Sequence, residues 1–168
     1  MALEDLVYVR KSMGKDGIPI NVYKIRTMVK DAELKQRDLI EKNGYDGLGK
    51  IVDDPRITGI GRVLRRMGVD ELPQIYNILR GEMSIVGIRP RSEEDWSYLP
   101  NDLREHALRY KPGLFTPAYS EVDVKNMEEL ARIEMDYLRR KDKSPIRTDT
   151  GYLLKIVFNF IFKGVRSR

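Results

Sequence analysis

The 168-residue chain contains no cysteine and a single histidine, His106. The first absence excludes a disulfide framework, a thiolate metal site and a cysteine nucleophile, and it fits a reducing compartment. The second excludes multi-histidine metal clusters. A metal bound here must be held by oxygen ligands, which favours magnesium or manganese over zinc. Long hydrophobic runs are also missing. The longest near the start, Leu6-Val7-Tyr8-Val9, is far too short to cross a bilayer, and the opening residues lack a signal-peptide pattern.

What is present is a folded, well-solvated composition, 41% hydrophobic and 34% charged, in a chain long enough for one respectable core and too short for two full domains. The net charge is +5, and residues 139–168 hold nine Lys or Arg against two Asp. The remainder is slightly acidic. Positive charge gathered at one end suggests a local anionic surface rather than a basic groove, so nucleic acid is not expected as a partner.

Along the chain, Leu6–Ser12 and Ile18–Ile25 are rich in Val, Ile and Tyr and flank Gly14-Lys15-Asp16-Gly17, which predicts a hairpin with Lys24 and Arg26 emerging at its end. Met28–Asn43 reads as a polar helix stopped by Asn43-Gly44. Gly44–Pro55 reads as a loop that closes over a ligand or is simply mobile. A short helix from about Thr58 to Met67 carries Arg62, Arg65 and Arg66 and ends at Gly68. Asp70-Glu71-Leu72-Pro73 then reads as the start of a further helix, with an acidic cap and a proline where its missing N–H is tolerated, closed by Gly81. Tyr152–Phe162 is dense in apolar residues, with Lys155, Asn159, Lys163 and Arg166 along one stripe. As a helix it extends only ~16 Å, so it lies on a membrane surface or packs in a core or a dimer, and does not span. The predicted class is α+β: one helix-rich domain with an N-terminal β-hairpin (1–27), a central core (28–151) and a C-terminal amphipathic segment (152–168).

Asp70 and Glu71 carry the chemical argument. Acids at a helix start are stabilised by the macrodipole and need no function. Two carboxylates there can also hold a divalent cation, and arginines brought near by the Gly68 turn can neutralise phosphate oxygens. A carboxylate can attack phosphorus directly, giving an acyl phosphate and splitting one hard displacement into two easier ones.

The motifs Asp53-Asp54-Pro55-Arg56-Ile57-Thr58, Leu64-Arg65-Arg66, Asp70-Glu71-Leu72-Pro73-Gln74 and Gly81-Glu82-Met83-Ser84-Ile85-Val86-Gly87 follow one another in close order. With Tyr23–Met28 upstream and Arg89-Pro90 and Pro112-Gly113 downstream, the chain resembles the bacterial sugar transferase, or monotopic phosphoglycosyl transferase, family over most of its length. The resemblance implies a two-step transfer. An aspartate attacks the β-phosphate of a nucleoside diphosphate sugar, releases nucleoside monophosphate, and passes the phosphosugar to a polyprenyl phosphate. Asp70 matches the nucleophile, and Glu71 its partner in binding magnesium (or manganese) and deprotonating the acceptor. Lys24, Arg65 and Arg89 match cations of the active site, with Arg56 and Gln74 as further substrate-binding candidates. Arg56 alternatively fixes the loop, and Gln74 satisfies backbone groups. Asp149 matches a family acid and reads equally well as a helix cap.

The chain departs from the family in opening where the catalytic region begins, without the hydrophobic anchor that normally precedes it. Ile88 stands where proline is usual, and Pro112–Pro117 lacks the usual glycine-rich continuation. Either the anchor has been removed from the sequence in hand, or this is a soluble or peripheral form that relies on its C-terminal helix or another protein. The expected place is the cytoplasmic face of the cell membrane, with homodimerisation through the C-terminal apolar surface a further expectation. The rival expectation is a non-catalytic sugar-nucleotide-binding or membrane-surface module on the same scaffold.

Overall fold

Residues 6–32, 34, 35, 39, 51, 54–122 and 124–163 are described by a computed structural model. The predicted hairpin is there. Strands β1 (Val7–Met13) and β2 (Pro19–Ile25) pair antiparallel from Val7 opposite Ile25 to Met13 opposite Pro19. Their connection is a 3-10 turn at Lys15–Gly17, where Asp16 and Gly17 take positive φ of 57° and 74°. Asp and Gly tolerate that region best, which is why the Asp-Gly pair sits there.

Directly beyond the hairpin, Met28 and Val29 stay out of the helix expected to start at Met28, and Lys30–Ala32 form a turn. Farther along, Leu39 is helical, its N–H donating to the Lys35 carbonyl at 3.2 Å. Met28 bridges to Ile57, and the Val29 N–H donates to the Arg56 carbonyl at 2.9 Å. That pairing claims the backbone groups of the first residues of the predicted 28–43 helix. Most of that segment and most of the Gly44–Pro55 loop, including Asp53, lie outside the described residues.

Helix α1 (Gly59–Met67) matches the predicted helix and ends on Gly68 as expected, in the left-handed region with φ 71°; its start is capped by Thr58, whose Oγ1 accepts from the Gly61 N–H at 3.0 Å. The next segment corrects the sequence reading. Asp70 is not a helix cap; Val69–Glu71 is a separate 3-10 turn, and helix α2 proper runs Gln74–Leu79 after Pro73. Proline brings no N–H to an intrahelical ladder, so the α-helical register starts only beyond it.

A two-stranded parallel pair, β3 (Ser84–Val86) and β4 (Gly113–Phe115), is linked through helices α3 (Glu93–Ser97) and α4 (Asn101–Ala107). A 3-10 turn at Pro117–Ser120 leads to the long helices α5 (Met127–Lys143) and α6 (Pro145–Phe158), and α6 passes into a π-helical turn at Asn159–Lys163. The C-terminal helix therefore starts earlier than Tyr152. Asp149-Thr150-Gly151 lies inside it, and Pro145 occupies its first turn. Val86, Ile88, Trp96, Leu99, Leu103, Ala107, Ala131, Tyr137 and Leu138 form the core between β3, α3, α4 and α5. Among the described residues no helix is long and apolar enough to cross a membrane.

Candidate active site

Four separate segments bring charge to one place, and each is fixed by a local device. The end of β2 is tied to α2 by Asn77, which is fully buried. Its amide donates to the Asn21 carbonyl at 2.7 Å and accepts from the Tyr23 N–H at 3.4 Å. The residue after Tyr23 is Lys24, and this clasp sets its ammonium on Glu71, Nζ to Oε1 at 2.8 Å. From α1, Arg65 donates Nε to Thr27 Oγ1 at 2.9 Å, so its guanidinium is steered by the chain just after β2. Gly68 turns the backbone so that Asp70 and Glu71 follow within one turn. Arg89, three residues beyond β3, places Nη2 3.9 Å from the same Glu71 oxygen.

The electrostatics divide the two carboxylates. Glu71 is engaged by Lys24 and Arg89. Asp70 is 7% exposed, and its Oδ1 is buried without a hydrogen-bond partner among the described residues. Burial first, and then the neighbouring Glu71 charge, push the Asp70 carboxyl above the usual carboxylate range, against the pull of Lys24 and Arg65. Burial, with Arg89 second, lowers the Lys24 ammonium below its ordinary value, while Glu71 opposes that shift. Arg89 is held in its charged form chiefly by Tyr119, with Glu71, Glu134 and Asp70 adding to it against the effect of burial.

Five of the seven sequence candidates thus converge: Asp70 and Glu71 with Lys24, Arg65 and Arg89. Arg56 is engaged elsewhere. Its guanidinium grips Asp54 through Nε and Nη2 at 2.9 and 2.7 Å and donates to the Ala32 carbonyl at 3.0 Å, which fixes the loop after Pro55. Gln74 is buried at the start of α2. Asp149 does not cap a helix; it accepts from Lys141 at 2.8 and 2.9 Å. Three residues of the site escaped the sequence reading. Thr27 sat inside a recognised motif without a role, while Asn77 and Tyr119 carry no local signal, since only tertiary packing brings them to Lys24 and Arg89.

Chemically, a desolvated carboxylate oxygen beside a second carboxylate, ringed by three cations, suits an electron-poor centre flanked by anionic oxygens. The same pair fits a divalent cation. The partnerless Asp70 Oδ1 is an open oxygen ligand, and a magnesium ion commonly takes only one or two protein carboxylates, filling its other positions with water and phosphate.

The comparisons with known proteins agree with this chemistry. The family described as bacterial sugar transferase matches residues 2–163. The chain is 34% identical over 135 residues to galactosyl transferase CpsE of Streptococcus agalactiae, covering 79% of this chain and 30% of that protein. It is 35% identical over 113 residues to the undecaprenyl-phosphate galactose phosphotransferase of Salmonella typhimurium, 64% of this chain and 24% of the relative. Against the UDP-glucose:undecaprenyl-phosphate glucose-1-phosphate transferase of Escherichia coli it is 31% identical over 167 residues, 95% of this chain and 32% of the relative. The chain spans about a third or less of the length of these three relatives. With a match that runs almost from end to end and an acidic pair ringed by the cations its motifs supply, the chain belongs to the bacterial sugar transferase family.

Proposed function

We propose that this chain is the catalytic part of a sugar-1-phosphate transferase that moves a phosphosugar from a nucleoside diphosphate sugar to a polyprenyl phosphate through an aspartyl-phosphosugar intermediate. The observation that carries the reading is Asp70: a buried carboxylate with an uncommitted Oδ1, one residue from a second carboxylate and surrounded by Lys24, Arg65 and Arg89. The relatives' names, which specify undecaprenyl phosphate as acceptor and, in one case, UDP-glucose as donor, support the substrate classes.

In the first step Asp70 Oδ1 attacks the β-phosphorus. A new O–P bond forms, the bond from that phosphorus to the bridging oxygen breaks, and nucleoside monophosphate leaves with the electron pair. Arg65 and Arg89 hold the phosphoryl oxygens whose charge is redistributed, and Lys24 neutralises the leaving phosphate. In the second step an oxygen of the polyprenyl phosphate attacks the same phosphorus and Asp70 departs as a carboxylate. Glu71 takes the acceptor's proton where the acceptor arrives as a monoanion. Asp70 and Glu71 would hold a magnesium ion, which when bound neutralises phosphate oxygens and lowers the repulsion an attacking carboxylate meets. The acceptor is a lipid, and exposed Leu154, Phe158, Ile161 and Phe162 on α6 and the π turn support docking on the cytoplasmic membrane surface.

The test is intact-protein mass after incubation with magnesium and a panel of nucleoside diphosphate sugars, for this chain and for Asp70→Asn. The expected outcome is a phosphosugar adduct and stoichiometric nucleoside monophosphate, both absent from the variant. Binding of the donor without release of monophosphate, from folded protein, would replace this reading with that of a non-catalytic sugar-nucleotide-binding module.

A further inference from the structure

Arg89 stands between Val86, the last residue of β3, and Arg91, and residues 87–91 have no regular secondary structure. A loop of that kind, left to itself, samples many backbone states, and a cation mounted on it would have to be ordered each time it meets an anion. Here both ends of the stretch are anchored by one helix. Tyr137 Oη lies 3.1 Å from the Val86 carbonyl, and Glu134 Oε1 accepts from Arg91 Nη2 at 2.8 Å. Glu134 and Tyr137 are three residues apart on α5, hence on one face of it, and both are 0% exposed.

The Tyr137 contact has its own support. Lys141 Nζ donates to Tyr137 Oη at 2.7 Å and also to both oxygens of Asp149. Tyr137 Oη also lies 2.8 Å from Asp149 Oδ1, so its single phenolic proton is shared between that carboxylate and the Val86 carbonyl, and the Lys141–Asp149 pair fixes the hydroxyl between them. Burial, and after it Asp149, raise the Tyr137 phenol far above its ordinary value, so that proton is present at any working pH. Backbone bonds hold the stretch as well, the Gly113 N–H on the Ile88 carbonyl between its ends and the Met13 N–H on the Arg91 carbonyl at its far end, both at 2.9 Å.

Stability does not account for a charge as deeply buried as Glu134. Desolvating a carboxylate and a guanidinium roughly cancels their attraction, and an apolar pair of similar volume serves as well or better. What an ion pair and a directed hydrogen bond add over an apolar contact is a fixed direction. We propose that Glu134 and Tyr137 are positioning residues of the site, which from one face of α5 fix the two ends of Val86–Arg91 and so hold the Arg89 guanidinium toward Glu71 and an incoming phosphate. The inference rests on the reading of Arg89 as a phosphate ligand given above, and it adds α5 to the catalytic apparatus as its frame.

The experiment uses the whole chain and inorganic pyrophosphate with magnesium as the probe, so that it does not depend on turnover. Calorimetry on Tyr137→Phe and Glu134→Gln should show pyrophosphate binding weakened about tenfold in each, and by less than about twofold when the same substitutions are made in an Arg89→Lys background. In parallel, the Arg89 Nε–Hε resonance, assigned by its loss in Arg89→Lys, should shift or broaden in both variants. Unchanged binding, equal losses in the two backgrounds, an unmoved resonance, or a parent chain that does not bind pyrophosphate would each overturn the proposal. Tyr137→Phe keeps ring and volume, so it decides the matter if Glu134→Gln does not fold. A parent chain that shows all the expected effects but forms no phosphosugar adduct would leave the frame standing and remove the transferase reading alone.

Discussion

Asp70 illustrates a conflict between folding and chemistry within one side chain. Its carboxyl is raised above the usual carboxylate range by burial and by Glu71. A group whose pKa is higher in the folded than in the unfolded state stabilises the fold fully below its unfolded pKa, and that contribution is lost as pH rises through the folded value. Above its folded pKa the parent chain therefore carries the penalty of an ionised, desolvated Asp70. Asp70→Asn removes the charge without changing shape. In metal-free buffer at pH 7 it should raise Tm by about 2–4 °C, the shift that roughly 1 kcal/mol produces in a chain of this size, while abolishing the covalent adduct. The gap should shrink as pH falls toward the ordinary carboxylate pKa of about 4, because Asp70 then takes up its proton. Thermal unfolding of both proteins across that range is the measurement. A lower Tm for Asp70→Asn at pH 7 would mean that Lys24 and Arg65 outweigh burial.

At the scale of elements the site depends on two backbone devices of different kinds. Gly68, at φ 71°, ends α1 and swings the chain so that Arg65 and Asp70 stay together; nothing lies within 4 Å of where its Cβ would be, so only the backbone objects to a side chain. Gly68→Ala should cost about 1 kcal/mol of stability, and Gly68→Asn should recover part of it because asparagine enters the left-handed region more easily. Both are read by denaturant unfolding. At Gly113 the objection is contact: an added Cβ would sit 2.0 Å from the Gly87 nitrogen across the β3–β4 pair. Gly113→Ala should therefore separate those strands, and far-ultraviolet and near-ultraviolet dichroism should show native packing lost. The same distinction explains what the sequence made legible. The hairpin, the end of α1 and the acidic pair follow from short-range signals: runs rich in Val, Ile and Tyr on either side of Gly14–Gly17, Gly68 after the helix, and Asp70-Glu71 together in one motif. Asp70 as a helix cap and Met28 as a helix start differ in the structure, the first because Gly68 opens a separate 3-10 turn at Val69–Glu71 ahead of Pro73 and α2, the second because Met28 bridges to Ile57 from farther along the chain. Asp149, which the sequence left open between a family acid and a cap, lies inside α6, which starts at Pro145, and pairs with Lys141. Arg56 shows the same limit. Its motif identified it without distinguishing a ligand of substrate from a ligand of Asp54.

For the molecule as a whole, the question is what meets its uncovered apolar surface. Leu154, Val157, Phe158, Ile161 and Phe162 are all exposed along α6 and its π turn, with Phe162 at 70%, and the last thirty residues are strongly basic. The 14 residues of α6 extend ~21 Å, short of the hydrocarbon thickness of a bilayer, so this face can lie on a membrane and cannot cross one. Of the polar stripe expected there, Lys155 pairs with Glu121 and Asn159 is buried, so the charge comes from the basic C-terminal sequence as a whole. Exposed apolar side chains on such a segment fit an anionic lipid surface, where hydrophobic insertion and charge attraction add. Sedimentation with vesicles should accordingly show binding that is stronger for anionic than for neutral lipid and weakens with salt. Replacing Phe158 and Phe162 together by Ser removes two large apolar groups at the contact, and since each is worth about 1.5–3 kcal/mol when fully buried, partial insertion still predicts at least about a tenfold loss of vesicle affinity. The adduct-forming half-reaction with a water-soluble donor should be unchanged, because neither ring belongs to the Asp70–Glu71 cluster. Light scattering on the same proteins distinguishes the remaining occupant of this face: a dimer of the parent chain that becomes a monomer in the double variant, with vesicle binding untouched, would assign the surface to a second copy rather than to lipid.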